Sequence, residues 1–197
     1  MDFIFYYTNL IRAIVIILSV VQINKRNYKI LIPAAFVIAL TFLPWLFDLI
    51  DVRINFITLI LYQTVLFMAV YLGKGYKYYD LYSWWDRTVH FLSGILFFSF
   101  GVTLAEMAPE AGLIGTIAFS FTFSLASHEI WEVIEFLADC IFHTDHQRWQ
   151  KNSSSVNHQP KQAIQPPGLV DTMTDTISGI IGTAIACIGW WIYLIYG

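Results

Sequence analysis

The sequence predicts an all-α protein, a polytopic transmembrane helix bundle with about six spans. The chain has 197 residues, of which 57% are hydrophobic and only 13% are charged, whereas about 25% of the residues in a soluble domain are charged. Its mean hydropathy of +0.62 supports the same class. This composition excludes a soluble enzyme and a disordered chain, and a net charge of −3 indicates no nucleic-acid partner. The lipid bilayer is the expected partner.

Six segments are mostly apolar over about 20 residues, the length that a helix needs to cross the hydrocarbon core. The chain, 1–197, is therefore interpreted as a single transmembrane domain. A polar loop at about 142–168 separates the last two spans and predicts a cytoplasmic connection, either a linker or a functional loop. The predicted spans are about 3–21, 30–47, 54–72, 88–107, 112–138 and 173–195.

Basic residues predict the orientation of the bundle. They concentrate in the first, third and fifth loops, and the positive-inside rule assigns such loops to the cytoplasm. Both termini are therefore expected outside. The bases are Lys25, Arg26 and Lys29, then Lys74, Lys77 and Arg87, then Arg148, Lys151 and Lys161.

Acids and histidines occur where the last three spans reach the predicted cytoplasmic side. Residues three or four apart share a helix face, so each of these helices presents a pair of ionisable side chains. The pairs are Asp86 with His90, His128 with Glu132, Glu129 with Glu132, and Asp171 with Asp175.

Small residues lie near the same faces of the fourth and sixth spans. Because small residues let transmembrane helices approach closely, we expect the three polar faces to meet in one bundle. The residues are Ser93 and Gly94, then Ser178, Gly179 and Gly182.

The cluster is compatible with several kinds of chemistry. Clustered carboxylates cannot all ionise without compensation, and a divalent metal such as Zn²⁺ or Mn²⁺ could supply it. A metal-free site would use His90 as a general base, and a transporter would use a proton or cation relay. The spacing matches no named zinc signature. The candidate metal ligands are His90, His128, Glu129, Glu132, Asp171 and Asp175, and the candidate catalytic residues are Asp86, His90, Glu132 and Asp175.

A structural interpretation of the same residues stays open. Polar side chains also fasten transmembrane helices to one another, and carboxylates such as Asp86 and Asp171 favour helix N-termini. Ionisable residues inside a membrane are nevertheless costly and are usually functional, which favours a site at His90, Glu132 and Asp175.

Two further features allow more than one interpretation. Arg12, near the middle of the first span, could pair with an acid of the cluster or bind a lipid phosphate, or residues 3–11 could lie at the interface. His143, Asp145, His146 and His158 in the polar loop could complete a metal site, or they could be solvated.

Three motifs in order resemble those of the VanZ-like membrane proteins, and most closely the YjdF-like bacterial inner-membrane proteins. They are D-x-x-x-H-F at 86–91, E-x-x-E at 129–132 and D-T-x-x-D followed by glycines at 171–182. The resemblance covers about residues 84–185. It implies a bacterial plasma membrane location and, through VanZ, an association with glycopeptide resistance. A typical VanZ protein has D-E-x-x-Q in the second motif, where this chain has His128 first and Glu132 last.

The leading hypothesis is an enzyme, metal-assisted or metal-free, that acts on a lipid-linked or amphiphilic substrate at the inner leaflet. Glu132 and Asp175 with His90 would hold the cation or take a proton, and Asp86 would orient His90. The alternative is non-enzymatic: an envelope or glycopeptide-resistance factor, or a proton-coupled transporter that uses the same acids.

Overall fold

The structure is a computed structural model that describes residues 2–107, 110, 112–148 and 165–196. The described residues are mostly helical and contain no strand. Six stretches are long and apolar enough to cross a membrane, which confirms the predicted fold class. They are Phe3–Asn24, Tyr28–Asp48, Phe56–Gly75, Trp85–Ala105, Gly112–Phe142 and Pro167–Tyr196.

The described residues form eight α-helices, with a 3₁₀ turn before the second helix and a π-helical segment after the fourth; all but the short fifth helix, which lies between the third and fourth stretches, belong to these six stretches. The α-helices are α1 (Asp2–Asn24), α2 (Leu31–Leu40), α3 (Leu43–Asp48), α4 (Phe56–Leu66), α5 (Tyr78–Leu81), α6 (Trp85–Ala105), α7 (Gly112–Phe142) and α8 (Pro167–Tyr196); the 3₁₀ turn is Tyr28–Ile30 and the π-helical segment is Phe67–Gly75.

Two spans depart from the predicted pattern. The second is interrupted between α2 and α3, where Pro44 lies in the first turn of α3 and cannot donate a backbone hydrogen bond to the preceding turn. The sixth begins at Pro167, before the predicted start at 173, because proline suits the first position of a helix.

The first three spans pack through neutral hydrogen bonds. Gln63 Nε2 donates to Thr8 Oγ1 at 2.6 Å, and the Tyr7 and Thr64 hydroxyls are 2.7 Å apart. The fully buried Tyr71 hydroxyl donates to the carbonyl oxygen of Val15 at 3.0 Å.

Arg12 belongs to this part of the bundle. Its Nε donates to Thr41 Oγ1 at 2.8 Å, and its guanidinium lies 4.0 Å from the centre of the Phe42 ring. The expectation that it pairs with an acid of the cluster is therefore wrong: its contacts join α1 to the turn after α2. Since α1 runs unbroken from Asp2 to Asn24, residues 3–11 continue the helix that contains Arg12.

Glycines bring the last three spans together. A Cβ on Gly94 of α6 would collide with the carbonyl oxygen of Gly179 on α8, and one on Gly182 of α8 would collide with the carbonyl oxygen of Phe91. A Cβ on Gly101 would lie 2.7 Å from the Cα atom of Ser120 on α7. The predicted close packing of small residues is confirmed for Gly94, Gly179 and Gly182, and the contact of Gly101 with α7 was not predicted. Together these contacts make α6 the helix that both α7 and α8 contact.

Candidate functional site

Five ionisable side chains meet where α6, α7 and α8 pack together. α6 contributes two of them in its first turns, α7 contributes two that lie one turn apart, and α8 contributes one. Each is at most 9% exposed, which is unusual for ionisable groups unless they are paired. They are Asp86, His90, His128, Glu132 and Asp175.

His90 lies at the centre of the cluster. Its Nδ1 is 2.9 Å from His128 Nε2 and 3.7 Å from Glu132 Oε1. Its Nε2 is 3.4 Å from Asp86 Oδ1. The two nitrogens of this imidazole therefore face different groups, α7 on one side and an acid of its own helix on the other.

Two sets of potential metal ligands share His90. One set comprises His90, His128 and Glu132, and the other comprises Asp86, His90 and Asp175; in each set, one donor atom from every residue lies within 4.8 Å of the others. A cation between such donors would balance the carboxylate charge that the helices bury.

Two polar atoms of the cluster have no hydrogen-bond partner among the described residues. They are Glu132 Oε1 and His128 Nδ1. Buried polar atoms are nearly always bonded, so a cation, a proton or a water could bind at Glu132 Oε1, which lies 3.7 Å from His90 Nδ1.

Gly179 makes room for the His128 ring. A Cβ at this position would lie 2.5 Å from His128 Cε1 and 2.7 Å from both ring nitrogens. A larger residue would displace the imidazole from His90, so this α8 glycine determines where the His128 ring of α7 lies.

The segment that follows α7 folds back over the cluster. Asp139, only 6% exposed, accepts hydrogen bonds from the Thr144 hydroxyl at 2.7 Å and from the backbone amides of His146 and Gln147 at 2.8 and 3.0 Å. One buried carboxylate therefore holds the turn at 144–147 in place.

This turn delivers Arg148 to the site. Arg148 Nη2 lies 2.6 Å from Asp86 Oδ2, and Nη1 lies 3.6 Å from Asp171 Oδ1. Nη2 also donates to the carbonyl oxygen of Tyr79 at 3.2 Å. One guanidinium thus links α6, α8 and α5, and fixes the carboxylate that faces His90.

Two residues of the predicted site lie apart from the buried cluster. Glu129 is exposed on α7, because it is one position away from the buried face that carries His128 and Glu132. Asp171 is half-buried and contacts Arg148 rather than the histidines.

Sequence reasoning assigned no site role to Asp139 or Arg148. The sequence indicated only that Arg148 belongs to a basic loop. The chain reverses after α7 because of the hydrogen bonds to Asp139, and this reversal brings Arg148 to α6. Of the loop histidines, His146 lies in this turn, and His158 lies outside the described residues.

Two cavities border the cluster. A polar one of about 240 Å³ is lined by charged side chains that include Lys74, Asp86 and Arg148. An apolar one of about 330 Å³ reaches His90 and His128 from the other side. Tyr79 and Glu135 line both cavities, so the two cavities are adjacent beside the buried cluster.

Two groups at the polar cavity have shifted pKa values. Burial, and then the neighbouring Asp86 carboxylate, raise the pKa of the Tyr79 phenol well above its usual value, so it stays neutral. Burial, and then the Lys74 ammonium, lower the pKa of His146. Neutral His146 can therefore accept a hydrogen bond through Nδ1 from Lys74 Nζ, 2.8 Å away.

The chain belongs to the family described as "Predicted membrane protein (DUF2238)", which matches residues 6–195. No curated protein matches the chain. No solved structure matches it either.

Proposed function

We propose that the protein is a metal-dependent membrane enzyme that acts on an amphiphilic substrate, with His90, His128 and Glu132 as the metal ligands. One observation carries this proposal: three buried donors from two helices lie within 4.8 Å of one another, and the carboxylate among them has an unbonded oxygen.

The donor set suits a catalytic metal. Two imidazole nitrogens and one carboxylate, with the fourth position open to water or substrate, form a ligand set that catalytic Zn²⁺ uses; Mn²⁺ also accepts nitrogen and oxygen donors. Asp86, 3.4 Å from the other nitrogen of His90, matches the carboxylate that commonly orients a metal-bound histidine.

The proposed reaction is hydrolysis of an ester or phosphoester. A divalent ion held by His90, His128 and Glu132 would lower the pKa of water and polarise the bond to be cleaved. The water oxygen bonds to the electrophilic carbon or phosphorus, while its proton passes to Asp175. The bond to the leaving oxygen then breaks, and that oxygen takes the proton from Asp175.

The setting of this enzyme is part of the proposal. The resemblance to YjdF-like and VanZ-like proteins supports a bacterial plasma membrane. The basic loops support a cytoplasmic site with both termini outside. The apolar cavity beside the histidines supports an amphiphile as substrate.

Metal analysis tests the proposal. The full-length protein in detergent is loaded with Zn²⁺, freed of excess by dialysis and analysed by mass spectrometry, alongside Glu132→Gln, His90→Ala and Glu129→Gln. We expect about one tightly held zinc ion per wild-type chain and loss of this ion in Glu132→Gln and His90→Ala. Glu129→Gln is the control and should keep the ion, because Glu129 is exposed on the same helix as Glu132. Equal zinc in all four proteins, or none in the folded wild type, would contradict the proposal.

A further inference from the structure

The two cavities beside the buried cluster are adjacent and differ in chemistry. The polar cavity contains Asp86, whereas the apolar cavity contains His90, and these two side chains are 3.4 Å apart. Tyr79 and Glu135 belong to both linings. A molecule that fills both cavities must therefore be polar at one end and apolar at the other, with its junction beside the proposed metal.

The apolar cavity opens towards lipid. Phe36 of α2 and Trp131 of α7 line it, and these side chains are 54% and 49% exposed on the outside of the bundle. Exposed apolar faces of spanning helices lie against hydrocarbon. Leu40, Val65 and Phe97 continue the lining inward, so a hydrocarbon chain can enter sideways from the bilayer.

The polar cavity has a cationic group next to the proposed metal. Arg148 lies 2.6 Å from Asp86, and Lys74 and Lys77 line the same cavity. A guanidinium is the side chain best suited to hold phosphate oxygens. A phosphate at Arg148 would place its ester oxygens close to the ligands around His90.

The lining of the polar cavity also includes carboxylates. Asp80, Glu135 and Asp145 line the polar cavity beside the bases. A head group that is only anionic would meet these acids with like charge, whereas one that has an ammonium beside its phosphate finds an opposite charge for each of its own.

Resting on the metal-dependent reaction proposed above, we propose that its substrate class is a zwitterionic phospholipid. Its hydrocarbon chain occupies the apolar cavity, its phosphate contacts Arg148, and its ammonium faces the acidic wall of the polar cavity. The variants used to test this binding change none of the three proposed metal ligands, so lipid binding and metal binding can be measured separately.

Native mass spectrometry of the full chain in detergent tests this inference. The probes are phosphatidylethanolamine, phosphatidylglycerol, diacylglycerol and chain-free glycerophosphoethanolamine. We expect phosphatidylethanolamine to be retained at least about tenfold better than the other three, because only it offers a phosphate, an ammonium and a chain together.

Three variants locate the bound lipid. Arg148→Ala removes the phosphate contact, Ala69→Phe narrows the apolar cavity that Ala69 lines, and Arg87→Ala removes an exposed base that lines neither cavity. We expect about a tenfold loss of phosphatidylethanolamine in the first two and no loss in the third. Circular dichroism checks the fold of each variant. If Ala69→Phe unfolds, the inference is judged from Arg148→Ala alone.

Equal retention of all four probes, or wild-type retention in folded Arg148→Ala, would overturn the inference. Chain-free glycerophosphoethanolamine retained as well as the lipid would overturn the assignment of the apolar cavity. If the wild type binds zinc but shows no preference among lipids, this inference fails and the metal proposal stands. If it selects phosphatidylethanolamine but holds no zinc, the metal proposal fails and so does the catalytic part of this one.

Discussion

The first three spans and the last three bury polar side chains in contrasting ways. Between the first three, the buried groups are hydroxyls and amides that bond to one another, as Gln63 does to Thr8 and Tyr71 to Ser19. Between the last three, the buried groups include carboxylates and imidazoles. Each region also buries an oxygen without a hydrogen-bond partner among the described residues, Gln63 Oε1 in the first and Glu132 Oε1 in the last, so the two regions differ in the charge they bury.

This difference is the basis of the proposed function. Neutral hydrogen bonds join transmembrane helices at little cost. Buried ionisable groups are expensive in lipid, which is why we propose a ligand and a reaction at His90, Glu132 and Asp175. The glycine contacts of α6 with α8 hold this costly cluster in place.

Substitution of the α8 glycines should have the largest effect. Gly182→Ala places a methyl group against the backbone oxygen of Phe91, which can move only with its helix, so we expect a loss of about 3 kcal/mol in the free energy of unfolding. Gly189→Ala is the matched control, because nothing lies within 4 Å of the added carbon. Unfolding in detergent mixtures measures both; equal stability of the two variants would show that the helices do not pack closely at Gly182.

Asp86→Asn should weaken metal binding without removing a proposed ligand. The amide cannot hold the His90 imidazole as the carboxylate does, and the loss of such an orienting group typically costs about 10–100-fold in metal affinity. Competition with a coloured zinc chelator measures the affinity, with Glu129→Gln as control. An unchanged affinity in Asp86→Asn would remove Asp86 from the site.

Tyr71→Phe tests the first three spans, where the loss should be smaller. It removes a hydroxyl that bonds to Ser19 and Val15, which we expect to cost about 1 kcal/mol of stability. Tyr6→Phe, at a side chain that is 68% exposed, should cost nothing measurable. The zinc affinity should be unchanged in both variants. A lower zinc affinity in Tyr71→Phe would contradict the claim that the first three spans serve packing alone.

The smallest expected effect is a pH dependence of the turn at 144–147. The pKa of His146 is lowered by burial and then by Lys74, so the folded state favours neutral His146. Neutral His146 therefore contributes its full stability to the turn above about pH 6.5, the pKa of histidine in the unfolded chain. This stability is lost as the pH falls from that value towards the lower pKa of His146 in the folded state. Amide exchange at Gln147, corrected for its intrinsic pH dependence, should show less protection under acid, and His146→Gln should abolish this change. Equal pH dependence in wild type and variant would contradict the prediction.

Helical periodicity predicted much of the site, but only where the ligands share a helix face. Asp86 with His90, and His128 with Glu132, are each one turn apart, so their pairing could be inferred from spacing. Glu129 could not be separated from Glu132 in the same way, because the rotation of α7 about its axis depends on its packing against α6. The contact of Arg148 with Asp86 depends on a chain reversal, which periodicity does not describe.

X-ray absorption at the zinc edge of the loaded full-length protein tests the central claim most directly. A metal held by His90, His128 and Glu132 should show two imidazole nitrogens and a carboxylate oxygen at about 2.0–2.2 Å. The imidazole signal should persist in Glu129→Gln and weaken in His128→Ala. A shell of oxygen ligands alone, or an imidazole signal that His128→Ala leaves unchanged, would contradict the account.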